Sequence, residues 1–165
     1  MTVSLNANCD FTYLKYWFGK IDLVKEDGCM NIRIADNSDI NLLSEKDIHI
    51  SRQEVENLVF LKRVYIMETE GCFAGWLRYN LFWGNTPFMD MLYILEEYRA
   101  KGLGRKFVLF WEEQMKKYGY SVVMTSTVSN EYAQHLYYKL GYKAIGGFTP
   151  YNEPYEIILE KKLHL

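Results

Sequence analysis

The chain has 165 residues, 49% of them hydrophobic, which suits one compact domain with a sizeable core. A formal net charge of -2 and a pI near 5.9 exclude a polyanion or nucleic-acid binder whose whole surface is basic, so any anion must be met locally. Cys9, Cys29 and Cys72 are odd in number and share no short ligand spacing, and His49, His135 and His164 are equally scattered, which argues against a disulfide framework and against a metal site.

No apolar run approaches the roughly 18 residues of a membrane span, and the N-terminus lacks the cationic start and apolar core of a signal peptide. The expectation is a reduced, cytoplasmic protein without a membrane partner.

In chain order, Phe11, Leu14 and Phe18 recur at helical spacing between Asp10, a possible cap, and Gly19, a possible stop, and predict a short amphipathic helix. The polar stretch 25–31 then reads as a linker. A short alternating strand with Ile32 and Ile34 follows, ending at the candidate caps Asp36 and Ser38. Ser51 and Glu54 fit a capping box that opens a helix with Val55, Leu58 and Val59 on one face.

Strands are predicted at 64–68 and 72–82, joined by a hairpin turn, and a second turn at 83–87 leads into the apolar run 88–95. Leu103, Phe107, Phe110, Trp111 and Met115 mark a long helix that Gly119 stops. A strand at 121–126, a helix at 130–141 and strands at 143–148 and 155–161 complete the chain. The fold class is mixed α/β: an antiparallel meander feeds a strand-helix-strand unit, flanked by helices. Residues 1–29 form an N-terminal extension, and 30–165 form the domain.

The corner 98-YRAKGLGRK-106 carries the first chemical signal. Gly102 and Gly104 at a helix start let a ligand approach the backbone, and the free N–H groups of a first helical turn favour a phosphate. Arg99, Lys101, Arg105 and Lys106 add local positive charge. A tight strand-to-helix turn with solvated cations fits the glycines equally well. A dinucleotide fingerprint would need a small residue where Phe107 stands, and the ending of a P-loop is absent.

A second motif, 130-NEYAQHLYYKLGY-142, follows the next strand. Together with 99-RAKGLG-104 it resembles the two hallmark motifs of the GNAT superfamily of acyl-CoA-dependent N-acetyltransferases. The resemblance runs in element order from Met30 to the C-terminus, and beyond the two motifs it is one of topology.

It implies acetyl-CoA as cosubstrate, with no metal, and an amine acceptor that is a small molecule, peptide or protein. It implies that the pyrophosphate lies on the N–H groups of Arg99, Ala100, Lys101, Gly102, Leu103, Gly104 and Arg105. The pantetheine arm would pair like an extra strand with Leu92, Tyr93 and Ile94, which requires strands splayed apart there.

Asn130, on helix-start chemistry alone a candidate N-cap, would contact the arm. Tyr137, whose plain reading is core packing, would protonate the leaving thiolate, with Tyr138 as the neighbour one register away.

For the general base, Asp90 interrupts the apolar strand, where desolvation raises a carboxyl pKa. Phe88 stands where the family often has an acid, so the chain departs from the pattern there. Asp90 projects to the same side as Phe88 on a regular strand, and a bulge would reverse that. Glu96 and Glu97 are reserves.

Trp76, Tyr79, Phe82 and Trp83 line an acceptor pocket or pack as core and hairpin. The leading expectation is an N-acetyltransferase acting by direct transfer, and the rival is a non-catalytic acyl-CoA-binding or interaction module. The aromatic-rich residues 1–29 are expected to dock on their own chain or in a homodimer.

Overall fold

The computed structural model describes residues 30–164, together with two short strands, β1 (Lys15–Trp17) and β2 (Lys20–Asp22), that pair antiparallel. The main sheet begins with β3 (Met30–Ile34). Asp36 caps a single 3-10 turn with both halves of a capping box, and α1 (Ile40–Lys46) and α2 (Arg52–Phe60) follow. Ser51 accepts from the Glu54 N–H at the start of α2, which is one half of the predicted capping box; the Glu54 carboxylate accepts from Asn57 instead of the Ser51 N–H.

The meander is β4 (Val64–Thr69), β5 (Cys72–Phe82) and β6 (Thr86–Ile94). Glu70 and Gly71 both take positive φ, the requirement of a two-residue hairpin turn. Beyond β6 come α3 (Leu103–Lys117), β7 (Val122–Val128), α4 (Ala133–Lys139), β8 (Lys143–Phe148) and β9 (Glu156–Lys162).

Seven strands form one sheet in the order β3-β4-β5-β6-β7-β9-β8, antiparallel throughout except for β6 and β7. Each face of the sheet carries its own core. On one face α3 and α4 bury Phe107, Val108, Trp111, Met115 and Tyr137 against Leu77, Tyr79, Met89 and Leu159. On the other, α1 and α2 bury Leu43, Val55, Leu58 and Val59 against Val64, Ile66 and Trp76. The i, i+4 spacing of Leu103, Phe107, Trp111 and Met115 is what aims α3 at the sheet. Gly75 on β5 has a packing reason: a Cβ there would run into the Tyr93 carbonyl, so only glycine lets β6 lie this close at its end.

Four expectations are corrected. The N-terminal helix fails where it is described, because Lys15–Trp17 is a strand paired with Lys20–Asp22; two residues containing Gly19 separate them, a spacing that suits a hairpin, and Tyr16, Trp17 and Ile21 favour extended backbone. The remainder of that prediction, and the docking expected of residues 1–29, lie outside the described residues.

The helix expected over 130–141 is shorter, because Ser129 and Asn130 form a turn first. Asn130 is not its N-cap: Tyr132 holds that position, and Gln134 instead ties the turn by donating to the carbonyls of Ser129 and Glu131. Finally, Cys72 is disulfide-bonded. Sequence spacing does not report which cysteines fold brings together, and such bridges are uncommon in reducing compartments.

Candidate active site

Strands β6 and β7 share only two rungs, Phe88 with Met124 and Met89 with Thr125, although β6 runs on to Ile94 and β7 to Val128. The other edge of each strand stays fully engaged, β6 with β5 up to Ile94 and β7 with β9 up to Val128. The sheet is therefore split between two strands that are each held from outside. The Thr125 hydroxyl donates to the Met89 carbonyl at 3.0 Å and fastens the last rung. Because the Leu95 N–H donates back to Ala74 on β5, alternation turns the N–H of Tyr93 to β5 and those of Leu92 and Ile94 into the gap.

At the mouth of the gap the chain makes a 3-10 turn (Glu96–Tyr98), then takes positive φ at Ala100 and Gly102 before α3 begins. Gly102 is the N-cap, in the left-handed region at φ 75. Among the described residues the N–H groups of Ala100 to Arg105 donate to no backbone carbonyl, and Lys106 is the first to do so, to Gly102 at 3.1 Å. Consecutive free donors at the start of a 15-residue helix are suited to receive an anion.

The cations around this corner are partly committed. Arg99 Nε donates to the Ile94 carbonyl at 2.9 Å with its guanidinium over the Tyr93 ring, and Lys101 donates to the Glu97 carbonyl. A Cβ on Gly104 would lie 3.7 Å from Leu136 and 4.0 Å from Leu92, so α3, α4 and β6 converge there. Leu103 is buried and packs in the core.

Tyr137 lies buried at the opposite end of the gap. Burial raises its phenol to about 12, with a hydrogen bond to Thr125 working the other way, so the group stays protonated beside the last rung. Its ring meets Tyr142 edge-on at 5.6 Å. Tyr138 points outward, 42% exposed, so Tyr137 is the inward group of the two. Asn130 is exposed in the turn that follows β7.

Asp90 is the extra residue of a bulge, since Arg78 pairs with Met91 and Tyr79 with Met89. The expected reversal does not occur: Asp90 accepts from Asn80 at 2.9 Å, and Asn80 is the cross-strand partner of Phe88. The alternation slips after Asp90 instead, so Asp90 and Met91 share a face. Desolvation raises the Asp90 carboxyl above the ordinary range, while the charge of Arg78 and the Asn80 hydrogen bond oppose the rise. Glu96 and Glu97 are exposed on the 3-10 turn at the far end of β6, away from the last rung.

Sequence reasoning missed what stands behind Asp90. Arg78 Nη1 lies 3.7 Å from Asp90, and its Nε donates at 2.7 Å to Asp47, which also accepts from Trp76 Nε1 at 3.1 Å. Arg63 reaches Asn80 at 3.3 Å. Asp47 ends α1 and Arg78 lies on β5, and no short motif announces a pair so distant in sequence. Of the predicted aromatic cluster, Trp76 and Tyr79 are core residues of opposite faces, while Phe82 and Trp83 are exposed.

Asp47 and Arg78 are both buried, so Asp47→Ala should leave the guanidinium with only its longer contact to Asp90 and the Trp76 indole N–H unpaired, and cost about 3 kcal/mol. Urea unfolding checks this. A midpoint unchanged within error would mean that the pair holds nothing together.

Three comparisons bear on this geometry. A search of curated proteins finds no relative. Among solved structures, the chain is similar to a GNAT-family acetyltransferase from Bacillus cereus, at TM-score 0.68 and 19% identity over 82% of this chain and 98% of that one. It is also similar to Ard1 from Thermoplasma volcanium, at TM-score 0.71 and 12% identity over 82% and 99%. A third is the PaiA N-acetyltransferase from Thermoplasma acidophilum in complex with coenzyme A, at TM-score 0.61 and 19% identity over 82% and 99%. At these identities the likeness establishes the fold. The model of the acetyltransferase (GNAT) family matches residues 26–142. A match of that length, over the split sheet and its glycine corner, means that the chain belongs to the GNAT family of acetyltransferases, enzymes that take their acetyl group from acetyl-CoA.

Proposed function

We propose that the protein is an N-acetyltransferase that passes the acetyl group of acetyl-CoA directly to a primary amine. The observation that carries this reading is the split between β6 and β7, open to free N–H groups at one end and closed by Tyr137 and Thr125 at the other. The chain's donors fit the cosubstrate: free amides of Ala100 to Arg105 for the pyrophosphate, and the Ile94 amide for a pantetheine carbonyl. The bound thioester supplies an activated acetyl carbon. Leu92 N–H, the gap-facing amide nearest the bulge, is positioned to donate to the developing oxyanion.

The remaining roles follow from placement. Asp90 takes a proton from the attacking nitrogen directly or through water, the nitrogen bonds to the acetyl carbon, the carbon–sulfur bond breaks, and Tyr137 protonates the thiolate. Phe88, in place of an acid, favours a second reading, a non-catalytic acyl-CoA-binding module. Release of free thiol only when amine is present separates the two.

Gly102 offers a clean test of the corner. Its positive φ strains most side chains, but asparagine and aspartate tolerate that region and differ from each other by one charge. Gly102→Asp should weaken acetyl-CoA binding at least about tenfold relative to Gly102→Asn, measured by calorimetry, because a carboxylate there repels phosphate. Equal affinities would remove the phosphate from this turn.

Tyr137→Phe should lower kcat by about 10² with the KM for acetyl-CoA little changed, since a proton donor acts on the leaving group. If Tyr138→Phe alone has this effect, the assignment moves by one residue.

For Asp90 the sign is set by which form works. The carboxylate is the base, so kcat/KM should rise with pH through a carboxyl pKa displaced upward from 3.8. Asp90→Asn should abolish that acidic limb, and a limb that survives the substitution would belong to another group.

A further inference from the structure

Beyond the reach of α2, the face of the β5–β6 hairpin that bears Asp90 carries aromatic rings that neither core takes up. Phe82 lies 4.7 Å from Trp83 and 6.1 Å from Phe88 between ring centroids, tilted by 34° and 35°. Trp83 is 86% exposed, and its backbone sits at φ 52, a region that bulky side chains rarely occupy. Trp83 and Gly84 both take the positive φ of a hairpin turn, as Glu70 and Gly71 do, and this turn presents the ring to solvent beside Phe82. Phe88 is in the rung next to the last one, and its cross-strand partner Asn80 donates to Asp90. The rings therefore run from the Asp90 carboxylate outward to the hairpin tip.

Charge narrows what can lie there. Asp90 has Arg78 Nη1 at 3.7 Å, and Arg63 reaches the same Asn80 amide from the other side; Glu54 is the further acid that acts on Asp90. One ammonium can be matched by Asp90. Residues 82–88, which carry the rings, include no acid to match a second positive charge on the same acceptor, which disfavours polyamines and aminoglycosides. Resting on the amine-transfer reading above, we propose that the acceptor is a small, singly charged arylalkyl amine whose nitrogen meets Asp90 and whose ring lies against Phe88, Phe82 and Trp83. The new bond joins the amine nitrogen to the acetyl carbon as the carbon–sulfur bond breaks. The nitrogen's proton goes to Asp90 and the thiolate takes one from Tyr137, giving an arylalkyl acetamide and free coenzyme A thiol.

The test follows thiol release from acetyl-CoA with phenethylamine, propylamine, spermidine and a tripeptide beginning with phenylalanine. Phenethylamine should exceed the other three in kcat/KM by about tenfold or more, the range an apolar subsite supplies. Trp83→Gly should raise the KM for phenethylamine about tenfold while leaving the KM for acetyl-CoA unchanged. Glycine accepts the positive φ, so this variant should melt no lower than the parent. Propylamine or spermidine used as efficiently as phenethylamine, or a Trp83→Gly enzyme with an unaltered phenethylamine KM, overturns the inference and leaves the transfer reading standing. Preference for the tripeptide assigns the ring to a polypeptide end and also overturns it. No thiol release with any of these amines, while acetyl-CoA still binds, brings down the transfer reading and this inference with it.

Discussion

The site depends on β6 losing its β7 partner after Met89. A central strand that drops a neighbour leaves backbone donors and acceptors facing inward, at a cost that a protein interior does not normally tolerate. Here the cost is confined, because β5 holds β6 and β9 holds β7 along their outer edges, and the Thr125 hydroxyl pins the last rung through the Met89 carbonyl. The bulge at Asp90 falls immediately after that rung, so the change of twist and the opening of the sheet occur at one place. On the proposed reading, a ligand with amides of its own restores the missing pairing.

The two ends of the opening have opposite electrical character. At the mouth, positive φ at Ala100 and Gly102 turns consecutive amides outward ahead of a long helix, and Arg99 is held over Tyr93 beside them. At the closed end, burial keeps the Tyr137 phenol protonated and raises the Asp90 carboxyl, so a phenol and a carboxyl flank the last rung from opposite faces of the sheet. The Asp47–Arg78 pair stands behind Asp90 and limits the rise of its pKa, because the Arg78 charge favours the carboxylate form.

Much of this was legible in the sequence, and the exceptions have physical causes. The period of Leu103, Phe107, Trp111 and Met115 gave α3, the two glycines gave the corner, and the splaying of β6 followed from the two motifs together. Element order from β3 onward agreed. What local pattern cannot carry is pairing at a distance. Lys15–Trp17 had helical spacing but found a partner in Lys20–Asp22. Asn130 had the chemistry of a cap but sits in a turn tied by Gln134. Asp47 and Arg78, 31 positions apart, meet only once α1 packs on the sheet. The bulge at Asp90 was considered in advance, but its effect on the direction of the side chain depended on which residue the alternation slipped past.

Amide hydrogen exchange at Leu92 and Ile94, followed by NMR with and without coenzyme A, addresses the split most directly. Without ligand both amides should exchange far faster than that of Leu95, which is bonded to Ala74, and coenzyme A should slow both strongly while changing Leu95 little. Slow exchange at Leu92 and Ile94 in the free protein, or no protection on adding coenzyme A, would contradict the account of a sheet opened to receive it.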